Sequence, residues 1–510
     1  MCKYVKWIND NIHGAIGLTQ EELGLVDTPV FQRLRRIRQL SLVHLVFPTA
    51  EHSRFAHSLG VLALANKIAQ QLFELGELDK ESLRIARLTA LLHDIGHLPW
   101  SHLGEQAYDA YMSDKENLGG SLDLEAIDLQ SNGNRSSDHI LNRLANYSPA
   151  RKIHEHIGAH LIRNHPDLQK YLRDDAEIIG GILEKSDLVE KSGGLQLIRS
   201  IISSALDADR LDYLIRDSYS TGVRYGLVDA DFLIRNIRVG EDRGQKILGV
   251  REEALAAAEH FLFSRLFHYT QVVHHKNVTA FEAVARALLY RMIERNFLPG
   301  FECEEEIYDF AMSEDWYTFD DEHIMALVRQ FANDGKSDDL DRALAETIVN
   351  RKRPIIVCEM RDLCDREYGP REHYYQLRNW VATDPGEIAE LLGVPETFVS
   401  YTESRVRIDS IQSRYGLDIL MNEKDSLIHE AADALKLISG SRQWRLAVSS
   451  EDSFLRLVAD YERYTLRIFC LESDKYAVDP ERLEMARRRI KQNFPRAIVK
   501  FKKRDEGKAA

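Results

Sequence analysis

Four side chains in this sequence have the types and spacing of metal ligands. They are His57, the adjacent pair His93 and Asp94, and Asp209. Imidazole nitrogens combined with carboxylate oxygens form mixed sites that suit Zn, Fe, Mn, Ni or Co, and they leave positions open for water. A lone His-Asp pair is more often a frayed helix end with surface histidines. The chemical interpretation therefore depends on the elements that carry all four residues.

The pair His93-Asp94 ends an apolar run that predicts a helix over about residues 80–95. Neighbouring residues point about 100° apart on a helix, so these two side chains could converge only on an ion at the helix end. Gly96 fits such an end because glycine adopts the left-handed C′ conformation without strain. Two further imidazoles follow, His97 and His102.

The other two candidate ligands lie on apolar faces of predicted helices. His57 begins an amphipathic helix and points inward, where a hydrogen-bonded core histidine is the commoner explanation. Asp209 continues the apolar face of a helix that starts near Leu195, and Asp207 lies on the opposite side. A carboxylate on a buried face must be paired, protonated or bound to a cation, so Asp209 is the stronger candidate.

The composition is that of a globular protein, and the predicted fold class is mainly α. The 510 residues are 44% hydrophobic and 29% charged, with only 12 prolines and long helical periodicities. A net charge of −14 disfavours non-specific binding to nucleic acid, and no apolar run is long enough for a membrane span or a signal peptide. Five scattered cysteines without a Cys-x-x-Cys pair indicate reduced thiols, so we expect a cytoplasmic protein.

The sequence pattern divides the chain into two parts. The N-terminal part, 1–300, begins with a small β-ribbon at 4–19 and contains a Gly-, Ser- and Asn-rich segment at 111–150, which is predicted to be a mobile insertion. The C-terminal part, 301–510, mixes helices with strand-like apolar runs, and a regulatory or oligomerisation role is expected for it.

A basic helix is predicted near the N-terminus. It starts at Asp27-Thr28-Pro29, with proline in the first turn, and continues through 31–40, where four arginines occur within six residues. A solvated basic face is the commoner explanation of such a run, and phosphate binding is the alternative.

The motifs around these residues resemble the dNTP triphosphohydrolase branch of the HD-domain metal-dependent phosphohydrolases. Besides the order His, His-Asp, Asp, the matching stretches are Asp27-Thr28-Pro29-x-Phe31-Gln32-Arg33-Leu34-Arg35, Arg54-Phe55-x-His57-Ser58-Leu59-Gly60-Val61, His93-Asp94-x-Gly96-His97-x-Pro99-x-Ser101-His102 and Asp207-x-Asp209-Arg210-x-Asp212-Tyr213. The resemblance covers residues 4–290 and implies an HD-domain helical core followed by a mixed α+β C-terminal region. No sterile-alpha-motif domain fits the sequence.

The resemblance implies hydrolysis of a dNTP at its α-phosphate, which releases a deoxynucleoside and tripolyphosphate. One divalent transition metal would be bound by His57, His93, Asp94 and Asp209, with Mg accompanying the nucleotide. The implied catalytic residues are His97, His102, His154 and Glu105. His102 would protonate the leaving 5′-oxygen, and Glu105 stands where the family has Asp.

Seven positions match substrate contacts of the family. Arg54, Arg210, Tyr213 and Arg265 would contact the phosphates. The remaining three would hold the sugar, two of them at its 3′-hydroxyl and one beneath the ring, and they are Gln39, Asp217 and Leu40.

The resemblance also implies regulation by nucleotides. In vertebrate members of this branch, nucleotides bound between subunits assemble an active tetramer, and the positions here that match the guanine-nucleotide site are Lys6, Asn9, Asp27, Gln32 and Arg35. The alternative is that Asp27 caps its helix and pairs with Arg35. At the adjoining second site Phe232 and Glu253 replace basic residues. We therefore expect a homo-oligomer, a dimer or tetramer, that responds to a single nucleotide.

Two other functions stay open at this point. The first is hydrolysis of another phosphate ester by the same fold, such as a nucleoside monophosphate, a cyclic nucleotide or an alarmone. The second is a non-catalytic nucleotide sensor. The presence of a complete set of metal ligands and imidazoles argues against this second function.

Overall fold

The computed structural model describes residues 3–119, 139–145, 147, 151–186, 189, 192–242, 245–408 and 434–498. Most of the predicted insertion, residues 120–138, lies outside these described residues. Within the described part of the chain, no helix combines the length and the apolar composition needed to cross a bilayer.

Helices dominate the structure, which confirms the predicted mainly α class. The helices up to residue 202 are α1 (Gln20–Val26), α2 (Pro29–Gln32), α3 (Arg54–Glu74), α4 (Lys80–Leu92), α5 (His102–Gly119), α6 (Ile140–Leu144), α7 (Ile153–Asn164), α8 (Pro166–Leu172), α9 (Asp175–Glu184) and α10 (Gly193–Ile202). The later helices are α11 (Ala208–Thr221), α12 (Ala230–Arg235), α13 (Leu255–His268), α14 (Lys276–Glu294), α15 (Glu304–Ala311), α16 (Asp321–Ala332), α17 (Asp339–Val349), α18 (Glu372–Thr383), α19 (Gly386–Leu392), α20 (Leu455–Val458) and α21 (Pro480–Asn493).

The strands form small sheets. The strands are β1 (Lys6–Asp10), β2 (Gly14–Leu18), β3 (Ile237–Asp242), β4 (Gln245–Arg251), β5 (Ile355–Asp365), β6 (Val399–Arg407), β7 (Lys436–Ile438), β8 (Trp444–Leu446) and β9 (Tyr461–Cys470). The antiparallel pair β1–β2 is the predicted N-terminal ribbon. The other two sheets have the strand orders β3-β4-β7-β8 and β5-β9-β6. The long strands β5 and β9 contain the strand-like apolar runs that were identified in the C-terminal part of the sequence.

Helix α3 is the centre of the N-terminal core. It packs against α4 on one side and α11 on another, and both of its faces are rich in buried apolar residues. Side chains at the N-caps fix where the three helices begin, because Ser53, Asp79 and Asp207 each accept a backbone N–H from the first turn. The start of α3, the end of α4 and the start of α11 thereby meet at one place.

The prediction of a basic helix over residues 31–40 is wrong after the first turns, where the chain leaves the helical conformation. Thr28, rather than Asp27, caps α2, and the chain then forms a 3-10 turn at Arg33–Arg36 before it becomes extended at Ile37. Tertiary contacts explain the early end, because the fully buried Arg33 donates to the carbonyl oxygens of His97 and Phe319 at 2.8 Å each. This part of the arginine run is therefore structural and not a solvated face.

The single helix predicted from Leu195 onwards is also wrong. The chain leaves the helix after Ile202, and Asp207 begins α11 by accepting hydrogen bonds from the N–H groups of Ser204 and Arg210, at 2.7 and 2.6 Å. Aspartate competes in this way for backbone donors and favours a cap over a helix interior. Asp209 consequently lies in the first turn of a new helix, not on the continued face of α10.

The structure differs from the sequence prediction near two boundaries. Residues 111–119, which the sequence placed in the insertion, continue α5, and Ile140–Leu144 forms α6. Across the proposed boundary near residue 300, the Asp321 carboxylate accepts a hydrogen bond from the N–H of Arg38 at 3.0 Å. The helices that follow residue 300 therefore contribute directly to the N-terminal core.

Candidate active site

The four predicted metal ligands converge where α3, α4 and α11 meet. The ligand atoms of His57, His93 and Asp94 all lie within 4.8 Å of one another. Nε2 of His57 lies 3.0 Å from Oδ1 of Asp209 and 3.7 Å from Oδ2 of Asp94, and Nε2 of His93 lies 3.3 Å from Oδ1 of Asp94. Asp209 thus joins the cluster through His57.

The two imidazoles of this cluster are oriented by their other nitrogen atoms. Nδ1 of His57 lies 2.7 Å from a carboxylate oxygen of Asp212, and Nδ1 of His93 lies 2.8 Å from the carbonyl oxygen of Ala90. Both partners are acceptors, so each Nδ1 carries the proton. Among the described residues, neither Nε2 has a hydrogen bond of acceptable geometry, although both atoms are buried. Metal-binding histidines have this pattern, and the residues present therefore fit a divalent cation.

The electrostatics of the cluster favour a cation. Burial alone would lower the pKa of His57, but the carboxylates of Asp209 and Asp212 raise it to about 10. Burial opposes ionisation of Asp94, but the guanidinium of Arg54, 2.6 Å away, helps hold the pKa of that carboxyl well below its usual range. Fixed carboxylates around imidazole nitrogens bind a transition-metal cation in place of a proton.

A second cluster consists of three imidazoles around one buried carboxylate. The carboxylate of Glu105 lies 2.6 Å from Nδ1 of His97, 2.8 Å from Nδ1 of His154 and 3.5 Å from Nδ1 of His102. The rings of His97 and His154 stack with their centroids 4.0 Å apart. Nε2 of His97 lies 3.1 Å from Oδ1 of Asp94 and so connects this cluster to the metal cluster.

The environment distributes protons unequally within the imidazole cluster. Burial, together with the charges of Arg54 and His154, lowers the pKa of His97 to about 3. Burial would also lower the pKa of His154, but Glu105 outweighs it and raises that pKa. Burial opposes ionisation of Glu105, whose pKa is nevertheless held well below its usual range by the neighbouring imidazoles. The cluster thus combines an anionic carboxylate with a neutral imidazole at His97.

The turn between α4 and α5 supplies residues to both clusters, and its backbone is strained. Trp100 and Ser101 have φ values of 57° and 55°, in the left-handed region that non-glycine residues rarely adopt. The turn is held by Oδ1 of Asp321, which accepts from the N–H of Trp100 at 2.7 Å, and by Nε of Arg54, which donates to Oγ of Ser101 at 2.8 Å. These contacts hold the turn that brings the rings of His97 and His102 together beside Glu105, with their centroids 5.1 Å apart.

Gly96 is needed for a reason that the sequence did not indicate. We expected the left-handed conformation of a helix end, but Gly96 is not among the residues with positive φ. A Cβ at this position would lie 2.3 Å from the backbone nitrogen of Gly158 and 2.3 Å from the carbonyl oxygen of His154. Glycine therefore allows α7 to approach the turn closely enough to bring His154 to Glu105.

Both clusters face one cavity that contains most of the predicted substrate residues. It encloses about 1030 Å³, its open mouth included, which suits a nucleotide. The predicted contacts on its wall are Gln39, Arg54, Arg210, Tyr213 and Arg265. The guanidinium of Arg265 lies over the ring of Tyr269 at 4.8 Å, and burial raises the pKa of Tyr213. Leu40 is half-buried and packs against the hydrophobic core.

Asp217 is not part of the cavity wall. Its two carboxylate oxygens lie 2.8 Å from Nε2 of His52 and 3.0 Å from Nε2 of His268. Burial opposes its ionisation, but these two imidazoles lower its pKa to about 2. Asp217 is therefore paired with two buried or half-buried histidines, and a direct contact with a sugar hydroxyl stays a prediction.

The five positions matched to a nucleotide-activator site lie at the surface around the ribbon and α2. Lys6, Asn9, Asp27 and Arg35 are exposed, and Gln32 is half-buried. Arg35 donates to Oε1 of Gln32 at 2.6 Å and lies 3.6 Å above the ring of Phe55. The alternative, an Asp27 cap paired with Arg35, is wrong, because Thr28 is the cap.

Several residues at the site were not predicted from the sequence as functional. Asp212 orients His57, Asp321 holds the turn, and Lys185 and Arg199 lie on the cavity wall. Asp212 stood in the matched motif without an assigned role, and its i, i+4 spacing to Arg216 is typical of an ion pair.

Comparison with known proteins agrees with this geometry. Residues 54–127 match the model of the HD domain family. The chain carries an HD domain. An uncharacterised protein of Methanocaldococcus jannaschii is 32% identical over 293 residues, 57% of this chain and 51% of that protein. The deoxynucleoside triphosphate triphosphohydrolase SAMHD1 of Danio rerio is 28% identical over 281 residues, 53% of this chain and 42% of that protein. The chain thus spans about half the length of the curated relatives it matches.

The fold is shared with a solved structure over nearly the whole chain. A phosphohydrolase from Bacteroides thetaiotaomicron has a TM-score of 0.63 and 22% identity, and the match covers 92% of this chain and 100% of that one. The residues that match the HD domain include His57, His93 and Asp94, whereas Asp209 and His154 lie on later helices. The similar fold therefore extends well beyond the HD domain itself.

Proposed function

We propose that this chain hydrolyses deoxynucleoside triphosphates to deoxynucleosides and tripolyphosphate in a metal-dependent reaction. The observation that carries the proposal is that both clusters face the same cavity and lie in contact. Nε2 of His97, in the imidazole cluster, lies 3.1 Å from Oδ1 of Asp94, in the metal cluster. A metal cluster beside a cluster of acid–base groups is what hydrolysis of a phosphate ester requires. Similarity to proteins named deoxynucleoside triphosphate triphosphohydrolase supports the choice of substrate.

The metal cluster would contribute Lewis acidity. His57, His93, Asp94 and Asp209 would hold one divalent transition metal, with Mg accompanying the nucleotide, and such a cation acidifies water and neutralises charge on phosphate oxygens. In the reaction, the water oxygen bonds to the α-phosphorus and releases one of its protons to the solvent, and the bond from phosphorus to the 5′-oxygen breaks. The electron pair of that bond remains on the 5′-oxygen, which then takes up a proton.

The imidazole cluster would supply that proton. The side chain of His102 is 65% exposed, whereas His97 and His154 are held deep in the cluster, so His102 is the imidazole that a leaving oxygen can reach. Glu105 has a hydrogen bond with Nδ1 of His154 and lies within 3.5 Å of Nδ1 of the other two rings, which leaves Nε2 of His102 free to donate. Transfer from an imidazole to an oxygen leaving group contributes about 10²–10⁴-fold to such reactions.

Analysis of reaction products tests the proposal. Purified protein would be incubated with a panel of dNTPs, NTPs, monophosphates and cyclic nucleotides in the presence of Mn²⁺, Fe²⁺, Co²⁺, Ni²⁺ or Zn²⁺. Phosphorus-31 NMR is expected to show tripolyphosphate appearing together with deoxynucleoside. Release of pyrophosphate or orthophosphate would favour another phosphohydrolase activity, and binding without any product would favour a nucleotide sensor.

We further propose that the chain forms a homo-oligomer that responds to one nucleotide bound at Lys6, Asn9, Asp27, Gln32 and Arg35. The surface position of these residues supports the proposal, because a site between subunits must be accessible on the single chain. Sedimentation with and without GTP tests it, and Lys6→Ala with Arg35→Ala is expected to abolish the response. The exposed Lys80→Ala variant is the control. Unchanged assembly and activation in the Lys6/Arg35 variant would contradict the proposal.

A further inference from the structure

The catalytic cavity has more positive side chains than the resemblance assigned, and several of the assigned ones are already paired. Nη1 of Arg54 lies 2.6 Å from Asp94, and Nε of Arg210 lies 3.5 Å from the buried carboxylate of Asp207. A triphosphate brings several negative charges into the cavity. Its binding therefore requires cations beyond those that neutralise protein carboxylates.

Arg199 is one such cation. It lies on the last turn of α10, is half-buried, and its side chain belongs to the cavity wall. Within the part of the chain that the structure describes, its guanidinium has no hydrogen bond or ion pair, which distinguishes it from Arg54. A half-buried guanidinium that faces a cavity without a protein partner is available to an anionic ligand.

The position of Arg199 along the cavity indicates which part of a substrate it would meet. Arg199 and Ser203 also belong to the wall of a second cavity, which is bounded by β4 and Trp444. Among the residues on the wall of that second cavity, there is none from the metal or imidazole clusters. Arg199 therefore lies at the border between the catalytic cavity and a cavity that contains neither cluster.

Lys185 lies on the same wall, at the end of α9. Its backbone has φ 60° and ψ 43°, the left-handed conformation that helix ends normally give to glycine. A side chain there costs about 1 kcal/mol relative to glycine. Lys185 already has an interaction within the described residues, so Arg199 supplies the unpaired charge on this wall. Lys185 and Arg199 approach the cavity from the ends of two neighbouring helices.

We propose that Arg199 and Lys185 form a second anion subsite that binds the terminal phosphates of a nucleoside triphosphate. The subsite deepens the proposed function and rests on it for the identity of the natural ligand. The planar guanidinium of Arg199 donates two parallel hydrogen bonds to a terminal phosphate, and the ammonium of Lys185 adds a point charge. The subsite is expected to favour a triphosphate over a monophosphate, because a triphosphate extends further from the metal cluster along the cavity.

Calorimetric titration with inorganic phosphates tests the subsite. The probes are inorganic tripolyphosphate and orthophosphate, added to the full metal-loaded chain and to the variants Arg199→Ala, Arg199→Lys and Lys185→Gln. Arg199→Ala is expected to bind tripolyphosphate about 10- to 100-fold more weakly, as loss of a charged hydrogen-bonding group does, with orthophosphate affinity unchanged. Arg199→Lys is expected to lose less, because it keeps the charge without the fork.

The control variant is Arg329→Ala, which removes an exposed arginine on α16 and is expected to leave both affinities unchanged. Thermal unfolding and metal content establish that each variant is folded and loaded. Unchanged tripolyphosphate affinity in Arg199→Ala overturns the subsite, as does an equal loss for orthophosphate. Because the probe is not hydrolysed, the result is independent of turnover. A wild-type chain that binds tripolyphosphate through Arg199 but cleaves no dNTP refutes the proposed function and leaves the subsite intact.

Discussion

The Asp212→Asn substitution tests whether Asp212 orients the predicted metal ligand His57 in addition to stabilising the fold. The Asp212 carboxylate is fully buried and accepts from Nδ1 of His57 at 2.7 Å, from Nε2 of His13 at 2.6 Å and from the guanidinium of Arg216 at 2.8 and 3.0 Å. Burial opposes its ionisation, but Arg216 and the two imidazoles hold its pKa well below the usual range. The asparagine keeps the shape of the side chain and removes its charge.

The magnitudes follow from these contacts. Groups that orient a metal-binding histidine are worth about 10- to 100-fold in metal affinity, so we expect a loss in that range. Removing one partner of a buried ion pair costs about 3–5 kcal/mol of stability. Arg216 also pairs with Asp10 at 2.8 and 3.2 Å, so it keeps one carboxylate and the cost is expected near the lower end, about 3 kcal/mol.

The matched control is Asp10→Asn. Asp10 contacts the same arginine but not His57, so this variant is expected to lose stability and to retain metal affinity. Metal affinity would be measured by competition with a chromophoric chelator, and stability by urea unfolding of the chelator-treated chain. Metal affinity within about twofold of wild type in Asp212→Asn, or an equal loss in Asp10→Asn, would refute the role assigned to Asp212.

Two further predictions concern the imidazole cluster and the turn. Glu105→Gln is expected to lower kcat about 10²-fold or more while metal content stays unchanged, because the amide lacks the negative charge that lies within 3.5 Å of all three Nδ1 atoms. Loss of metal by this variant would contradict the separation of the two clusters. Burial raises the pKa of Asp321 to about 6, above its unfolded value, so folding takes up a proton and wild-type stability falls as pH rises from about 4 to about 6. Asp321→Asn lacks this contribution, so the difference in unfolding free energy between the two chains should shift by about 2 kcal/mol, in favour of the variant, between pH 4 and pH 7. A difference that does not vary with pH would refute this assignment.

The residue types at the site could be predicted from the sequence because chemistry restricts them. Only a few side chains bind transition metals, and His57, His93, Asp94 and Asp209 stood in an order that matches a known motif. Their convergence follows from helices whose caps and apolar faces are local properties. The β1–β2 ribbon and the mainly α class were likewise predictable from local patterns.

What could not be predicted depends on contacts between distant parts of the chain. The end of the basic helix after Arg36 reflects hydrogen bonds of Arg33 to His97 and Phe319, and no local pattern encodes these partners. The break before α11 arises because Asp207 captures backbone donors, so Asp209 reaches His57 from a new helix. Asp209 lies beside His57 and its role as a metal ligand stays a prediction, but the argument from a continuous helical face was wrong.

The active-site geometry belongs to the whole described chain and not to the HD domain alone. The strained turn at Trp100 and Ser101 costs about 1–3 kcal/mol per residue, and such strain persists only where the surroundings hold it. Arg54 restrains it from within the HD domain, and the other restraints come from Arg33, before that domain, and from Asp321, some 200 residues after it in the chain. A fragment limited to residues 54–127 would therefore contain His57, His93 and Asp94 but lack Arg33 and Asp321. The contact between Asp321 and Trp100 is thus required for the imidazoles to keep their places around Glu105.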